Sequence, residues 1–249
     1  MSEPLQVIGS FVSPYVRKVL ACLNLKGVAY EVDPITPFYG NDEFTCVSPL
    51  RRIPVLIDGD FTICDSAIIC TYLDDAYPGH PLFPIDPREK ARARWLQQFA
   101  DVRLGELFIW SLFYQRVVRP LVWNEAPDEE RVARALDHEI PAALDYLEQQ
   151  VPADGFLFGD IGLADIAIAT FFRNGAYAGL ALDAERWPKG TAFIARTLEH
   201  PAIASLLPFE DVQRNAAISG RRQALLDAGA PLSDASWGVR EPRRGKMQL

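Results

Sequence analysis

The segment at residues 77–90, YPGHPLFPIDPREK, divides this sequence into two parts with different residue patterns. Its four prolines and one glycine interrupt helices and strands. Before it, short apolar runs alternate with helical patterns, and after it the pattern is helical. A chain of 249 residues has room for two domains of ordinary size. We therefore predict an α/β domain at 1–78, a linker at 79–88, an all-helical domain at 89–218 and a tail at 219–249.

The first part begins with a strand, a helix and a second strand. LQVIGS is a short apolar run, and Ser13 before Pro14 is typical of an N-cap with proline at the first helical position. Gly27 ends the helix, and the alternation over Val28, Tyr30 and Val32 indicates a strand. These elements form a βαβ unit.

A hairpin follows in PVLIDGDFTI, where Asp58-Gly59 is typical of a tight turn between two β-rich runs. A helix is expected from Asp65 to about Tyr77. Further helices are expected at about residues 88–118, 128–150, 162–178 and 189–206.

The net charge of −8 argues against nucleic acid or an anionic membrane as a partner, because phosphate groups attract a basic surface. The first residues lack a basic stretch leading into an apolar one, and no apolar run reaches the roughly 18 residues of a spanning helix. We expect a cytoplasmic protein that binds a small molecule.

The cysteines and histidines do not predict a metal site or a disulfide. No two of the four cysteines have C-x-x-C spacing, and none lies at metal-ligand spacing from a histidine. We expect reduced, mostly buried thiols. The residues concerned are Cys22, Cys46, Cys64, Cys70, His80, His138 and His200.

The tail at 219–249 is rich in Arg, Gly and Pro and carries one isolated tryptophan, Trp237. Disorder is the default for such a composition. Docking on the body of the protein, next to the functional site or at a dimer contact, is the alternative that the sequence leaves open.

Ser13 is the strongest candidate for chemistry. A helix N-terminus favours an anion, and a thiolate suits this position. The residues here are Ser13, Pro14, Tyr15 and Val16, so dithiol exchange, which needs cysteines, is excluded at this turn. Ser13 acting only as a helix cap is the other interpretation, and Ser10, three residues earlier, is the rival position.

Three segments of the first part, SPYVRKV, RRIPVL and CDSAI, together resemble the glutathione transferases. The linker LFPIDP and the helix start IGLADIAIA extend the resemblance into the second part. It implies a thioredoxin-like N-terminal domain, βαβαββα with a mixed four-stranded sheet, followed by an all-α domain. It points to the cytosolic, serine-type branch, similar to bacterial theta, zeta or omega classes. Gly162 departs from the usual Ser or Thr of a capping box with Asp165, a structural feature.

The resemblance implies a role for each of the three segments. The Ser13 hydroxyl would donate a hydrogen bond to the sulfur of glutathione and hold it as thiolate. A cis peptide bond would precede Pro54, and the main chain of Ile53 would bind the cysteinyl amide of glutathione. Arg52, or in second place Arg51, would bind the glycyl carboxylate. The remaining implied contacts, to the γ-glutamyl end, are Asp65, Ser66 and, from a partner subunit, Asp101.

The implied function is transfer of glutathione to an apolar electrophile, or a glutathione-dependent substitution or isomerisation, in detoxification. Glutathione would be a cosubstrate, without a metal, and the protein a homodimer. A glutathione-binding or regulatory protein without catalysis is the alternative. A reductase needs a cysteine where Ser13 stands, and Cys22 is too far along the helix. The side chains expected near the electrophile are Phe11, Val12, Tyr15, Trp110, Tyr114 and, as a polar anchor, Arg116.

Overall fold

The computed structural model describes residues 4–244 and divides into two compact units. Unit 1 combines the chain up to Pro81 with the chain from Pro201 onward, and unit 2 is Leu82–His200. The boundary after Pro81 falls inside the predicted linker. On the unit 1 side, Lys26 Nζ donates to the carbonyl oxygens of Tyr77 at 2.9 Å and His80 at 3.1 Å.

Unit 1 contains a mixed sheet of four strands, β1 (Leu5–Ile8), β2 (Tyr30–Asp33), β3 (Val55–Asp58) and β4 (Phe61–Cys64). Their order in the sheet is β2-β1-β3-β4, which confirms the predicted fold class. β1 pairs in parallel with β2, whereas β3 is antiparallel to β1 and to β4.

Three helices accompany the sheet: α1 (Pro14–Lys26), α2 (Asp42–Val47) and α3 (Ser66–Ala76). α1 begins at the predicted cap and ends at Gly27, whose φ of 65° is a left-handed conformation that glycine adopts without strain. α1 and α3 pack together, and the Cys22 and Cys70 sulfurs lie 3.7 Å apart in this buried contact.

The hairpin forms where the sequence predicts it, but its turn lies one residue later. Asp58 pairs with Phe61, so the turn residues are Gly59 and Asp60. Gly59, with φ of 59°, takes the first turn position, where a positive φ is required.

Unit 2 is helical. α7 (Leu163–Tyr177) is apolar around nearly its whole circumference and is buried, and the helical segments at 87–99, 100–123 and 188–199 pack against it. A π-helical stretch at Ala100–Trp123 continues the first helix of the unit, and a second one at Ala135–Glu139 joins the next two. The α-helices are α4 (Pro87–Phe99), α5 (Glu129–Arg134), α6 (Ile140–Gln150), α7 (Leu163–Tyr177) and α8 (Pro188–Glu199).

The last predicted helix, 189–206, is interrupted. α8 ends at Glu199, and a short α9 (Pro201–Ala204) begins anew, because a proline has no N–H for the helix and its ring collides with the preceding turn. Two further helices follow, α10 (Leu207–Asn215) and α11 (Arg221–Asp227).

Residues 201–218 group with unit 1 rather than with the helical residues that precede them, where the prediction had placed them. Polar contacts to α1, one of them fully buried, hold them there. Arg17 Nε lies 2.7 Å from Glu210 Oε2, and Asn24 Nδ2 donates to the carbonyl oxygen of Ala202 at 2.9 Å.

The tail is docked on unit 1 as far as residue 244. Val32 donates its N–H to the Pro231 carbonyl at 2.7 Å and accepts from the Ser233 N–H at 3.1 Å, so the tail extends the sheet beyond the edge strand β2. Trp237 packs against the core of the sheet. Of the two alternatives for this tail, the structure therefore shows docking.

Candidate functional site

The strand register brings the three sequence segments to one end of the sheet. Ile8 at the end of β1 pairs with Val55 at the start of β3, and Val55 pairs with Cys64 at the end of β4. Ser13 follows β1, Ile53-Pro54 precedes β3, and Asp65 follows β4. The segments are therefore neighbours in the fold although they are far apart in the sequence.

Gly9 allows two of these segments to approach each other closely. A Cβ at this position would lie 2.4 Å from Val16 Cγ2 and 3.2 Å from Ile53 Cβ. Any larger residue would push the start of α1 away from Ile53. Sequence reasoning did not single out Gly9, since its close contacts with Val16 and Ile53 arise only when α1 and the segment before β3 pack against the end of β1.

Ser13 is the N-cap of α1 and is half-buried. Its Oγ accepts from the Val16 N–H at 3.4 Å, a long contact that leaves the hydroxyl hydrogen as a donor to a ligand. The first turn of α1 carries no acidic residue, so no carboxylate offsets the positive end of the helix dipole.

Ser10, the rival position, is only 2% exposed. Its Oγ accepts from the Val12 N–H at 3.2 Å and so stabilises the turn before Ser13. The exposure of the two serines favours Ser13 as the residue that reaches a ligand.

The peptide bond between Ile53 and Pro54 is cis, the geometry that the resemblance implies. The ladder of β3 begins at Val55, so the main chain of half-buried Ile53 lies outside the sheet's own pairing. Ser48 anchors the preceding residue, since its Oγ donates to the Arg52 carbonyl at 2.7 Å and accepts from the Arg52 N–H at 2.9 Å.

The two adjacent arginines have different environments. Arg51 is 8% exposed and has a φ of 49°, and its guanidinium donates to the Gly40 carbonyl at 2.8 Å and to Thr45 Oγ1 at 2.6 Å. The Arg52 side chain is exposed. Of these two candidates for a ligand carboxylate, only Arg52 has a guanidinium outside the internal contacts of unit 1.

Asp65 caps α3 from an unusual backbone conformation. Its φ is 76°, and Oδ1 accepts from the Ala67 N–H at 2.9 Å. A non-glycine residue with positive φ is strained, and such strain concentrates at ligand-binding positions. Ser66, the first residue of α3, is 4% exposed. The N-terminus of α3 thus offers N–H groups and a carboxylate next to each other.

The side chains predicted near an electrophile have different environments. Phe11 is 1% exposed and its ring packs against Phe209, with centroids 5.4 Å apart, so it is a core residue of unit 1. Val12 and Tyr15 are half-buried.

In unit 2, the rings of Trp110 and Tyr114 lie 5.6 Å apart, and both are half-buried. Arg116 Nη1 donates to the Ala178 carbonyl at 2.9 Å, so its guanidinium is engaged inside the unit. Asp101, the residue predicted to act from a partner subunit, accepts from Gln97 Nε2 at 3.3 Å.

Sequence reasoning missed three buried polar residues around the Ser13 turn: Arg17, Glu210 and Gln213. The two on α10 bind groups about 200 residues away, and no local pattern predicts such partners. Their polarity on the inner face of a short helix was the only available signal.

Among residues 4–244, no helix is both long and apolar enough to cross a membrane. The same residues contain no group of three or more His, Cys, Asp or Glu side chains placed to hold a metal ion.

Comparisons with known proteins agree with this geometry. A family model described as the glutathione S-transferase N-terminal domain matches residues 7–81, and one described as the C-terminal domain matches residues 109–201. The Arabidopsis thaliana protein named glutathione S-transferase U3 is 25% identical over 240 residues, which are 90% of this chain and 98% of that protein.

Solved structures show the same likeness. A glutathione S-transferase from Rhodospirillum rubrum has a TM-score of 0.75 at 26% identity and covers 86% of this chain and 94% of its own. A maleylacetoacetate isomerase from Methylobacterium extorquens AM1, with malonate and GSH bound, has a TM-score of 0.68 at 28% identity and covers 82% and 97%. Together with the strand register that unites the three motifs, these matches show that the chain belongs to the glutathione S-transferase family.

Proposed function

We propose that this protein is a glutathione transferase that binds glutathione at the end of the sheet and presents its sulfur, as thiolate, to an apolar electrophile. The observation that carries the proposal is the convergence of Ser13, Ile53 and Asp65 at one end of a single sheet. Ser13 lies there at the N-terminus of a 13-residue helix without acidic residues in its first turn.

One serine hydroxyl and one helix terminus are sufficient to ionise the thiol. A free thiol has a pKa near 8.5, and lowering it by two units requires about 2.7 kcal/mol. A hydrogen bond to a charged group supplies about 1.5–3 kcal/mol. The helix N-terminus adds about 0.3–1 kcal/mol, so the thiolate predominates at neutral pH without a general base.

The rest of glutathione has a matching contact for each of its groups. The main chain of Ile53, outside the ladder of β3, pairs with the cysteinyl amide as an added strand would. The exposed Arg52 guanidinium binds the glycyl carboxylate. Ser66 and the N-terminal N–H groups of α3 bind the γ-glutamyl carboxylate, and Asp65 faces its ammonium group.

The chemical step forms a bond between the glutathione sulfur and an electrophilic carbon. In a substitution, the leaving group departs with the electron pair of its own bond, and in an addition a proton from water completes the product. Val12 and Tyr15 are proposed as apolar contacts, and Trp110 and Tyr114 remain predictions for the same role. Isomerisation is a third outcome, supported by the likeness to the maleylacetoacetate isomerase.

The exposed apolar side chains support a homodimer. Phe61 and Ile68 in unit 1 are 44% and 53% exposed, and Trp95 and Val102 in unit 2 are 55% and 58% exposed. A contiguous apolar patch on a surface marks an association site, and these side chains are the candidates for such a contact with a second copy of the chain. Sedimentation equilibrium tests this part of the proposal, and a monomer at micromolar concentration would contradict it.

We also propose a cytoplasmic location and a role in detoxification.

The proposal is tested by the absorbance of bound glutathione thiolate as a function of pH. In the wild-type protein, the pKa of the bound thiol should lie below that of free glutathione. Ser13→Ala should retain binding and raise this pKa by about one to two pH units, because it removes the hydrogen bond to the sulfur.

Ser10→Ala is the matched control, since it removes a serine hydroxyl three residues away that is buried in the turn. We expect no change in the thiol pKa for this variant. A shift in Ser10→Ala and none in Ser13→Ala would transfer the donor role to Ser10. Failure of the wild type to bind glutathione at millimolar concentration would reject the transferase proposal itself.

A further inference from the structure

The side-chain amide of Gln213 on α10 joins the main chain beyond β1 to the main chain beyond β2. Its Oε1 accepts from the Phe11 N–H at 2.7 Å, and its Nε2 donates to the Pro34 carbonyl at 2.6 Å. Gln213 is 1% exposed; its hydrogen bond to Phe11 is buried, and the one to Pro34 is partly buried. A buried amide with both of its polar groups engaged holds its partners in one geometry.

The two strands need such a link at this point. Their parallel pairing ends at Ile8 and Asp33, and the Gly9 N–H still donates to the Asp33 carbonyl at 2.8 Å. Beyond it, the chain after β1 turns toward Ser13 and the chain after β2 continues through Pro34. A glutamine amide carries one donor and one acceptor group, as a peptide unit does, so Gln213 extends the pairing by one step.

A second attachment from α10 holds the same turn. The Arg17 guanidinium lies 2.7 Å from Glu210 Oε2 through Nε, and its Nη2 donates to the Val12 carbonyl at 3.3 Å. Both charged side chains are fully buried. The Phe11 ring contacts Phe209 of the same helix. α10 therefore holds the N–H of residue 11, the ring of residue 11 and the carbonyl of residue 12.

We propose that Gln213 is a positioning residue for the Ser13 hydroxyl. The inference rests on the proposed function of Ser13 and extends it to α10. Gln213 does not touch glutathione in this role. It fixes the main chain at Phe11, two residues before Ser13, and thereby fixes the direction in which the hydroxyl points. A small displacement of a hydrogen-bond donor weakens its bond to a charged atom steeply. The pKa of the bound glutathione thiol therefore reports the position of the Ser13 hydroxyl.

The test substitutes Gln213 by methionine, which is similar in size but neither donates nor accepts strongly. In Gln213→Met, we expect the pKa of the bound thiol to rise by about half to one pH unit, while the Kd for glutathione changes by less than about twofold. With a dinitro-activated aryl chloride as electrophile, kcat at neutral pH should fall about three- to tenfold with little change in KM for glutathione.

Gln223→Met is the matched control. Gln223 is an exposed glutamine on α11, and its amide donates only to Asp227 Oδ1 at 2.8 Å. The same chemical change at this position should leave the thiol pKa, Kd and kcat unaltered.

A double variant separates positioning from general destabilisation. If Gln213 acts through Ser13, then Ser13→Ala combined with Gln213→Met should have the same thiol pKa as Ser13→Ala alone, because the hydroxyl being positioned is gone. Additive shifts in the double variant would overturn the inference.

The failure of this inference is distinguishable from the failure of the proposed function. An unchanged thiol pKa in Ser13→Ala rejects the proposed function. A raised pKa in Ser13→Ala with an unchanged pKa in folded Gln213→Met rejects only the role of Gln213. If the methionine variant does not fold, Gln213→Asn replaces it, because an amide shortened by one methylene cannot reach both Phe11 and Pro34. An unchanged thiol pKa in that variant also overturns the inference.

Discussion

At the scale of single residues, the structure distinguishes two neighbouring arginines that have the same chemistry. Arg51 directs its guanidinium inward to the segment before α2, where it donates to the carbonyl groups of Pro37, Gly40 and Asn41. Arg52 directs its side chain to solvent. The first residue therefore holds the fold together, and the second is available to a ligand.

This difference predicts opposite results for the two alanine variants. Arg51→Ala should lower the free energy of unfolding by about 2–4 kcal/mol, because several buried acceptors lose a charged donor. Arg52→Ala should change the free energy of unfolding by less than about 0.5 kcal/mol but raise the Kd for glutathione about tenfold. Urea unfolding and calorimetric titration measure the two quantities. A stable Arg52→Ala protein with wild-type affinity would contradict the carboxylate contact.

At the scale of elements, the N-terminus of α7 shows how one carboxylate replaces a missing cap. Gly162 has no side chain to accept from the first turn. Asp165 turns back, and its two oxygens accept from the Gly162 N–H at 2.9 Å and the Leu157 N–H at 2.8 Å. Burial raises the pKa of Asp165 to about 6, although these two N–H groups and Arg196 favour the charged form.

The raised pKa of Asp165 predicts a pH dependence of stability. Between the ordinary aspartate pKa and about 6, the folded protein binds more protons at this site than the unfolded chain. The stability that Asp165 contributes is therefore fully present below the unfolded pKa and is lost as the pH rises through about 6. The loss amounts to up to about 3 kcal/mol.

Comparison with Asp165→Asn isolates this titration, because the variant has no proton to exchange there. The free energy of unfolding of the wild type should fall relative to that of the variant as the pH rises from about 4 to about 7. If the free energy of unfolding had the same pH dependence in both proteins, the Asp165 carboxylate would not be the group that causes the loss of stability.

At the scale of the whole chain, the last residues return to the first sheet. The tail lies along β2 and is also linked to the segment before α2 by main-chain hydrogen bonds. The Asn41 N–H donates to the Trp237 carbonyl at 2.8 Å, and the Val239 N–H donates to the Tyr39 carbonyl at 2.7 Å. Asp33 is fully buried and accepts from the Trp237 N–H at 2.7 Å and from Ser236 Oγ at 2.8 Å. Burial raises the pKa of Asp33, and these donors and Arg222 oppose that rise.

Trp237→Ala should therefore destabilise unit 1. Loss of a fully buried tryptophan costs about 3–5 kcal/mol, and for this half-buried ring we expect about 2 kcal/mol by urea unfolding. The Asn41 amide should exchange with solvent faster, since its acceptor lies on the released segment. Arg240→Ala, at an exposed position of the same tail, should change neither quantity. Unaltered protection of the Asn41 amide in Trp237→Ala would show that the ring does not hold the tail.

Much of the fold and of the candidate site followed from local sequence signals. Ser13 with Pro14 begins α1, the hairpin forms between two β-rich runs, and Asp65 caps α3, because caps, turns and strand patterns depend on neighbours a few residues away. The break at Pro201 was missed although proline is a local signal, because the apolar periodicity on both sides obscured it.

The sequence by itself therefore determined the strands of the first sheet, most of the helices before residue 200, the order of the motifs and the family. Only the tertiary structure decided which of two arginines faces solvent, that residues from 201 onward belong with the first sheet, and that α10 holds the turn before Ser13. The physical reason is distance along the chain. The partners of Gln213 and Glu210 are 179 to 202 residues away, so their contacts exist only after the sheet has formed and the chain has returned to it.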